Sequence, residues 1–433
     1  MSERSATAVP PLTVETNTSW FVASIAVGIA SVSFGAPYIA VVALKPIAAD
    51  LGSARSVPAL AFAAAYFGSA VGGVIMGYAA ERVGIRLVVI GGALMIALGL
   101  TLSSFGGETT LWLAHGICVG LLGNACINAP LYVYVSRWFD RRRGSAVALF
   151  ASGQYLAGAI WTPIFARAIA AFGWRRTMLL YAAFEVSAIV PAALVALRTA
   201  PEPRTSGHIS GPAPGARVLG WPPRVVQGLL CLGGFLCCVP MSMPQGHLVA
   251  FCSDAGISAT HGAAMLSVLL VCAFLSRQFW GLVADRIGGL HTVLAGSLCQ
   301  IAAMTGFLLT QDEAGLFAVA GAFGFGLGGI VPAYVVAIRE LFPAIEASWR
   351  VPLQLLFVGS GMATGGWLAG AIYDHFGFYG AAFRLGILFN ASNLAVIGAL
   401  VLRQSSCTAP GPTEDSCTSI RPPRRPLMKR IRL

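Results

Sequence analysis

Charge is what this chain has least of. Only 10% of its 433 residues are Lys, Arg, Asp or Glu, while 57% are hydrophobic and the mean hydropathy is +0.77. A soluble domain carries roughly a quarter charged residues, so the scarcity excludes an ordinary soluble enzyme, and the apolar content excludes disorder. Acid is scarcer still: 17 Asp and Glu against 28 Lys and Arg leave a net charge of +11. Histidines number six, and no His-Glu-x-x-His, Asp-Asp-x-x-Asp or His/Asp constellation lies in an apolar stretch. A membrane-embedded enzyme, a metal site and a cofactor are therefore not expected. The ten cysteines form no Cys-x-x-Cys pair, and most of them (Cys118, Cys126, Cys231, Cys272, Cys299) sit inside apolar runs as small packing residues would, which excludes a disulfide or zinc framework. No basic stripe with interleaved aromatics is present, so nucleic acid is not an expected partner.

What the sequence does have is apolar runs of about 20 residues, the length a helix needs to cross a bilayer. They predict an all-α membrane protein with twelve spans: 20–44, 57–79, 87–105, 111–136, 144–170, 177–198, 225–251, 261–283, 291–310, 315–338, 351–372 and 380–402. The first run is longer than the apolar core of a signal peptide and lacks a cleavage site, so it reads as a retained helix. The long polar interruption, 199–224, holds six prolines, four glycines and three arginines and reads as a linker. The organisation expected is a tail (1–19), a six-helix bundle (20–198), the linker, a second bundle (225–402) and a basic tail (403–433).

Lys and Arg set the orientation. With the N-terminus in the cytoplasm, 21 of the 28 fall on the cytoplasmic side, five outside, and two (Arg277, Arg384) within spans. The positive-inside rule then puts both termini in the cytoplasm of a cell membrane, a bacterial inner membrane being the expectation. Cytoplasmic cations include Arg137, Arg141, Arg142 and Arg143 between spans four and five. The tail cations, from Arg421 to Arg432, read as a solvated tail or as a contact with anionic lipid.

A repeat is visible. Gly77-x-x-x-Glu81-Arg82-x-Gly84 follows span two and Gly281-x-x-x-Asp285-Arg286-x-Gly288 follows span eight, the acids lying 204 residues apart; Arg137 and Arg339, leaving spans four and ten, are 202 apart. One offset at two sites is the mark of a duplicated six-helix unit. Pairs of glycines at four-residue spacing (Gly68, Gly72, Gly73, Gly77; Gly361, Gly365, Gly366, Gly370) predict close helix approaches.

On these motifs the chain resembles the major facilitator superfamily, whose signature is this loop in each half. The resemblance implies the major facilitator fold, two pseudo-symmetric halves with a cargo site between them, and a monomer. It also implies a cytoplasmic latch: Glu81 with Arg82 and Arg137 would meet the start of span eleven near Trp349 and Arg350, and Asp285 with Arg286 and Arg339 the start of span five near Gly144.

Charges inside spans cost several kcal/mol and each needs a reason. Arg277 lies eight residues before Asp285, about 12 Å along the helix, close to midplane. With few intramembrane acids to neutralise it, it reads as the partner of an anionic substrate, which a guanidinium holds through two hydrogen bonds. The competing reading is a structural arginine bonded to carbonyls or to Glu185. Glu185 and Arg384 themselves read as peripheral and structural, and His115, His247 and His261 as loop-facing or satisfied histidines.

A narrower resemblance starts at Arg137-Trp138-Phe139-x-x-Arg142-Arg143-Gly144, closes with Gly173-Trp174-Arg175, and includes Arg277 ahead of Trp280-Gly281. It is to the monocarboxylate porter and oxalate:formate antiporter branch. That resemblance implies small organic anions as substrates, moved with a proton or by exchange, and Arg277 as the substrate arginine. The chain departs from the branch where Ala273 stands for an aspartate and Tyr38 for a first-helix lysine. Neutral partners for the substrate would come from Tyr38, Asn124, Asn128, Tyr132, Gln154, Tyr155, Gln278 and Tyr334, with Asn128, Tyr132 and Tyr334 facing one another across the family's cleft. The expectation is a secondary transporter of a small organic anion, symporter or antiporter; an exporter of amphipathic drugs or a porter of another anionic metabolite is the alternative.

Overall fold

The computed structural model describes residues 15–139, 142–198, 217–343 and 346–408. The first fourteen residues, Arg141, linker residues 199–216 and the tail from 409 onward lie outside the described residues. Within them the chain is helical, with one isolated bridge between Val218 and Trp221.

Among the described residues eleven helices are long and apolar enough to cross a membrane, and one of them, Ser145–Ala196, is two helices. At Gly173 the backbone takes φ 77° and ψ 163°, a bend that residues with a Cβ rarely adopt, and the chain turns back on itself. The crossings are therefore twelve: α1 (Asn17–Val42), α2 (Ser56–Val83), α3 (Ile85–Phe105), α4 (Glu108–Arg137), α5 (145–172), α6 (174–196), α7 (Pro223–Asp254), α8 (Ala259–Ile287), α9 (Gly289–Leu309), α10 (Glu313–Leu341), α11 (Ala347–Phe376) and α12 (Gly380–Thr408). A short helix, Leu44–Leu51, joins α1 to α2. The sequence repeat is also a backbone repeat: the last motif glycines, Gly84 and Gly288, take φ 90° and 84° at equivalent corners.

Each six-helix half is held by close backbone approaches, as expected where dispersion rather than hydrophobicity must bring helices together. A Cβ at Gly68 or Gly72 would run into the carbonyls of Gly116 and Leu121 on α4, and one at Gly361 or Gly365 into those of Phe235 and Val239 on α7. The next glycines along α11 serve a different neighbour: Gly366 faces Phe62 and Gly370 faces Ser56 and Ala59, all on α2 of the other half. Helices α3, α6, α9 and α12 lie outermost and expose Leu98, Phe105, Leu180, Val195, Leu309, Leu388 and Leu402, an apolar girdle that only lipid suits.

Several crossings depart from α-geometry. Helix α1 is interrupted at Phe34–Gly35 and α10 at Gly328–Gly329, and α4 is a π-helix over Ala114–Asn124. Helices α4 and α10 are counterparts in the repeat, and on the repeat offset the break in α10 falls just past the position that ends the π-helix in α4. Such breaks free backbone groups within the bilayer and are tolerated where protein or a wet cavity satisfies them.

Candidate substrate site and gates

The break in α10 places the site. A Cβ at Gly324, Gly328 or Gly329 would collide with Leu269, Ala273 or Trp280 of α8, so the glycines bring the two helices into backbone contact. Interrupting α10 releases the Gly328 carbonyl from its helical ladder, and Arg277 Nε donates to it at 3.2 Å. The guanidinium then lies with its central carbon 4.7 Å from the ring centroid of Tyr155, on α5 of the opposite half. Arg277 is 8% exposed, and no carboxylate is within ion-pair distance of it among the described residues. Among the described residues its partners, the Gly328 carbonyl and Tyr155, are neutral, which leaves its charge without a counter-charge at the junction of the halves.

Tyr155 and Tyr132 are near enough for that charge to act on their hydroxyls, and Arg339 acts on Tyr132 as well. Tyr132 is 41% exposed and packs edge-on to Phe150. Behind Tyr155, Gln154 Nε2 donates to the Tyr66 hydroxyl at 2.7 Å, and Tyr66, Phe62 and Tyr38 stack in sequence along α2 and α1. Tyr38 is fully buried, its hydroxyl without a well-formed hydrogen bond. Asn128 is half-buried and Gln278 exposed, neither with a hydrogen bond among the described residues. Asn124 is drawn into the fold instead, its Oδ1 accepting from Ser33 Oγ at 2.5 Å.

Tyr334 does not join this group. Its hydroxyl donates to Asn393 Oδ1 at 2.8 Å, and Asn393 Nδ2 donates in turn to Ser297 Oγ at 2.9 Å, a buried network inside the C-terminal half. Glu185 is fully buried on α6 with both carboxyl oxygens unpartnered, so it is not the counter-charge of Arg277. Arg384 is exposed on α12. Tyr66 and Gly328 escaped the sequence reading; the run Gly324-x-Gly326-x-Gly328-Gly329 carried the signal.

The two faces of the molecule differ. At the face away from the repeated motifs the halves are locked together. Asp254, ending α7, receives Arg55 Nη1 at 2.5 Å and Nη2 at 2.9 Å, and Lys45 Nζ at 3.0 Å. Asp374, near the end of α11, accepts from the backbone N–H groups of Arg55 and Ser56, both at 2.8 Å, and so caps α2 from the other half. Arg55 also stacks 3.7 Å above the Tyr373 ring and reaches the Tyr379 hydroxyl at 3.3 Å. Burial works against the Arg55 charge, but the bonds to Asp254 and Tyr379 outweigh it and hold the group above the usual arginine range. Contact between the halves continues inward through Thr162 Oγ1 on the Ala263 carbonyl, Ser267 Oγ on the Ala159 carbonyl, and Gly359 against Ala70.

At the motif face no ion pair joins the halves among the described residues. Glu81 pairs with Arg137 at 3.1 Å inside the N-terminal half, and Arg82 folds onto Tyr78. Arg350, at the start of α11, is held within its own half by Glu346 at 2.6 Å and Gln227 at 3.3 Å. Asp285, Arg286 and Arg339 are exposed and make no ion pair among the described residues. A cavity of about 640 Å³ opens between the motif-face ends of α2, α3, α4 and α6, lined by Glu81, Arg86, Arg137 and Arg198. Among the described residues the halves are therefore joined by ion pairs and a helix cap at one face and by no ion pair at the other.

Two duplicated six-helix bundles with a buried arginine at their junction define a polytopic membrane transporter. Residues 21–312 match the Major Facilitator Superfamily, and the chain belongs to that family. It is 27% identical over 315 residues to the MFS-type transporter pynF of Aspergillus niger, covering 72% of this chain and 71% of that one. It is 27% identical over 380 residues to monocarboxylate transporter 13 of Rattus norvegicus, covering 84% and 81%. Among solved structures it is similar to a bacterial homolog of the human lysosomal transporter Spinster, in an inward-facing and occupied conformation, with a TM-score of 0.62, 16% identity, and coverage of 90% and 96%. These sequence relatives are fungal and mammalian and lend no support to a bacterial membrane.

Proposed function

We propose that the protein carries a small organic anion of the monocarboxylate type across a cell membrane by alternating access, with Arg277 as the anion-binding group. The observation that carries this reading is the position of Arg277: buried, between the halves, fixed by one neutral carbonyl and flanked by tyrosine hydroxyls that can complete the shell around a carboxylate. The likeness to a monocarboxylate transporter supports the substrate class. With the termini and the motif face in the cytoplasm, as the Lys and Arg distribution favours, the structure is the inward-open state and the Arg55–Asp254 lock is the outer gate. Arg339, exposed and making no ion pair among the described residues, draws anions toward the site in this state and pairs with Asp285 when the inner face closes.

The test is thermal stabilisation of the purified protein by a panel of mono- and dicarboxylates, with transport measured in liposomes. Monocarboxylates should raise Tm in the wild type. Arg277→Ala should weaken binding by about 10- to 150-fold, the worth of a charge-assisted hydrogen bond of roughly 1.5–3 kcal/mol. Arg277→Lys, which keeps the charge but not the fork, should fall between the two. An Arg277→Ala protein that folds and transports at the wild-type rate would remove the anion site.

A further inference from the structure

Behind the outer gate lies a histidine that the substrate site does not use. His247, on α7, is 1% exposed and reaches two groups. Its Nε2 is 2.7 Å from the Gly366 carbonyl, which can only accept, so Nε2 carries a hydrogen. Its Nδ1 is 3.1 Å from the Tyr379 hydroxyl, the same hydroxyl that receives Arg55 Nη1. Burial pushes the Tyr379 hydroxyl above the ordinary tyrosine range, so it stays protonated and available to donate. In the closed gate the bonds therefore run in one direction: Arg55 of the N-terminal half donates to Tyr379, Tyr379 to His247, and His247 to the backbone of α11. Gly366 in turn packs on Phe62 of α2, so both ends of the chain of bonds meet the opposite half.

A second proton on the imidazole breaks this sequence. Nδ1–H would press a second donor onto the Tyr379 oxygen, displace that hydroxyl's own hydrogen, and set a cation beside the Arg55 guanidinium. Of the two nearby acids, both already bonded, Asp374 keeps a charge that acts on the imidazole against that of Arg55. Asp254 is taken by Arg55 and Lys45, and Asp374 by the N–H groups of Arg55 and Ser56. Tyr373, stacked under Arg55, is neutral. Two further pairs at this face each lie within one half: His261 with Glu313 at 2.6 Å in the C-terminal half, and Arg175 with Asp50 at 3.0 Å in the N-terminal half.

We propose that His247 is a proton-binding site that governs the outer gate: neutral imidazole is required for closure, and protonation opens it. The sign follows from linkage. Closure exists only with His247 unprotonated, so the closed population is full at high pH and is lost as pH falls. The inference needs two alternating states but no particular substrate.

The experiment places noncanonical spin labels at the exposed outer positions Ala49 and Thr260, one on each half, leaving the native cysteines untouched, and measures their separation by electron double resonance in nanodiscs without substrate. Between about pH 8 and pH 5 the wild-type population should move toward the long, open distance, by no more than about tenfold per pH unit for one linked proton. His247→Gln should abolish the response, while His261→Gln and Arg277→Ala should keep it. Arg277→Ala separates this proposal from the anion site, since loss of substrate binding with the pH response intact leaves His247 standing. Tyr379→Phe serves if His247→Gln does not fold: it leaves the imidazole in place, should loosen the gate at high pH and should flatten the response. A wild-type gate indifferent to pH overturns the proposal, as does a His247→Gln or Tyr379→Phe protein that responds as the wild type does.

Discussion

A single side chain is expensive in lipid, and that cost made Arg277 legible from the sequence: few residue types survive a span without a reason, and spacing from Asp285 gave its depth. Its surroundings were less legible. Whether a tyrosine faces a cleft or a core depends on a rotation about the helix that hydropathy does not record when both faces are apolar, so Tyr132 and Tyr155 fall beside the cation while Tyr334 is spent on Asn393. Glu185 illustrates the opposite case, a buried carboxyl that no group answers. An unsatisfied buried acid costs about 1–3 kcal/mol or more, and an apolar side chain of similar size removes that cost. Glu185→Met should leave Tm unchanged or raise it, with transport retained; a fall in Tm by differential scanning fluorimetry would mean the carboxyl has a partner that matters.

At the level of elements, the apolar runs located all twelve crossings, yet helix ends moved by several residues and the interruptions went unseen. The reason is physical: hydropathy reads a span the same whether its backbone is α, π or broken, and the local signal for the breaks in α1 and α10 was Pro37 and Pro332, which have no N–H for the carbonyls of Ser33 and Gly328. The capping of α2 by Asp374 was equally hidden, because it joins residues 318 positions apart in two different halves. That cap makes a prediction. Opening the outer gate strips the Arg55 and Ser56 N–H groups of a carboxylate, so the cap favours closure by about 0.5–2 kcal/mol. Asp374→Ala should raise the open fraction by up to roughly 30-fold and leave the helix content by circular dichroism unchanged. An unaltered open fraction would reduce Asp374 to a surface acid.

For the whole molecule, the repeat was plain in the sequence because duplicated motifs keep one offset, but the conformational state was not, because one sequence must encode both states. Glu81 and Arg137 show the consequence. Among the described residues the latch expected across the halves is a pair within one half, with Arg350 held by Glu346. The two gates then compete for one equilibrium, and their contributions should add, since Glu81 and Asp374 sit at opposite faces of the molecule and share no partner. The resemblance implies that Glu81 meets the start of α11 in the outward-open state, so Glu81→Ala should deepen the inward-open population; Asp374→Ala removes a contact seen across the outer face and should do the reverse. The double variant Glu81→Ala/Asp374→Ala should return toward the wild-type distribution, within about 0.5 kcal/mol of the sum of the single effects. Spin-label distances across both faces measure all three proteins. If Glu81→Ala leaves the distribution untouched while Asp374→Ala moves it, the motif acts only within its own half and the gating energy resides at the outer face alone.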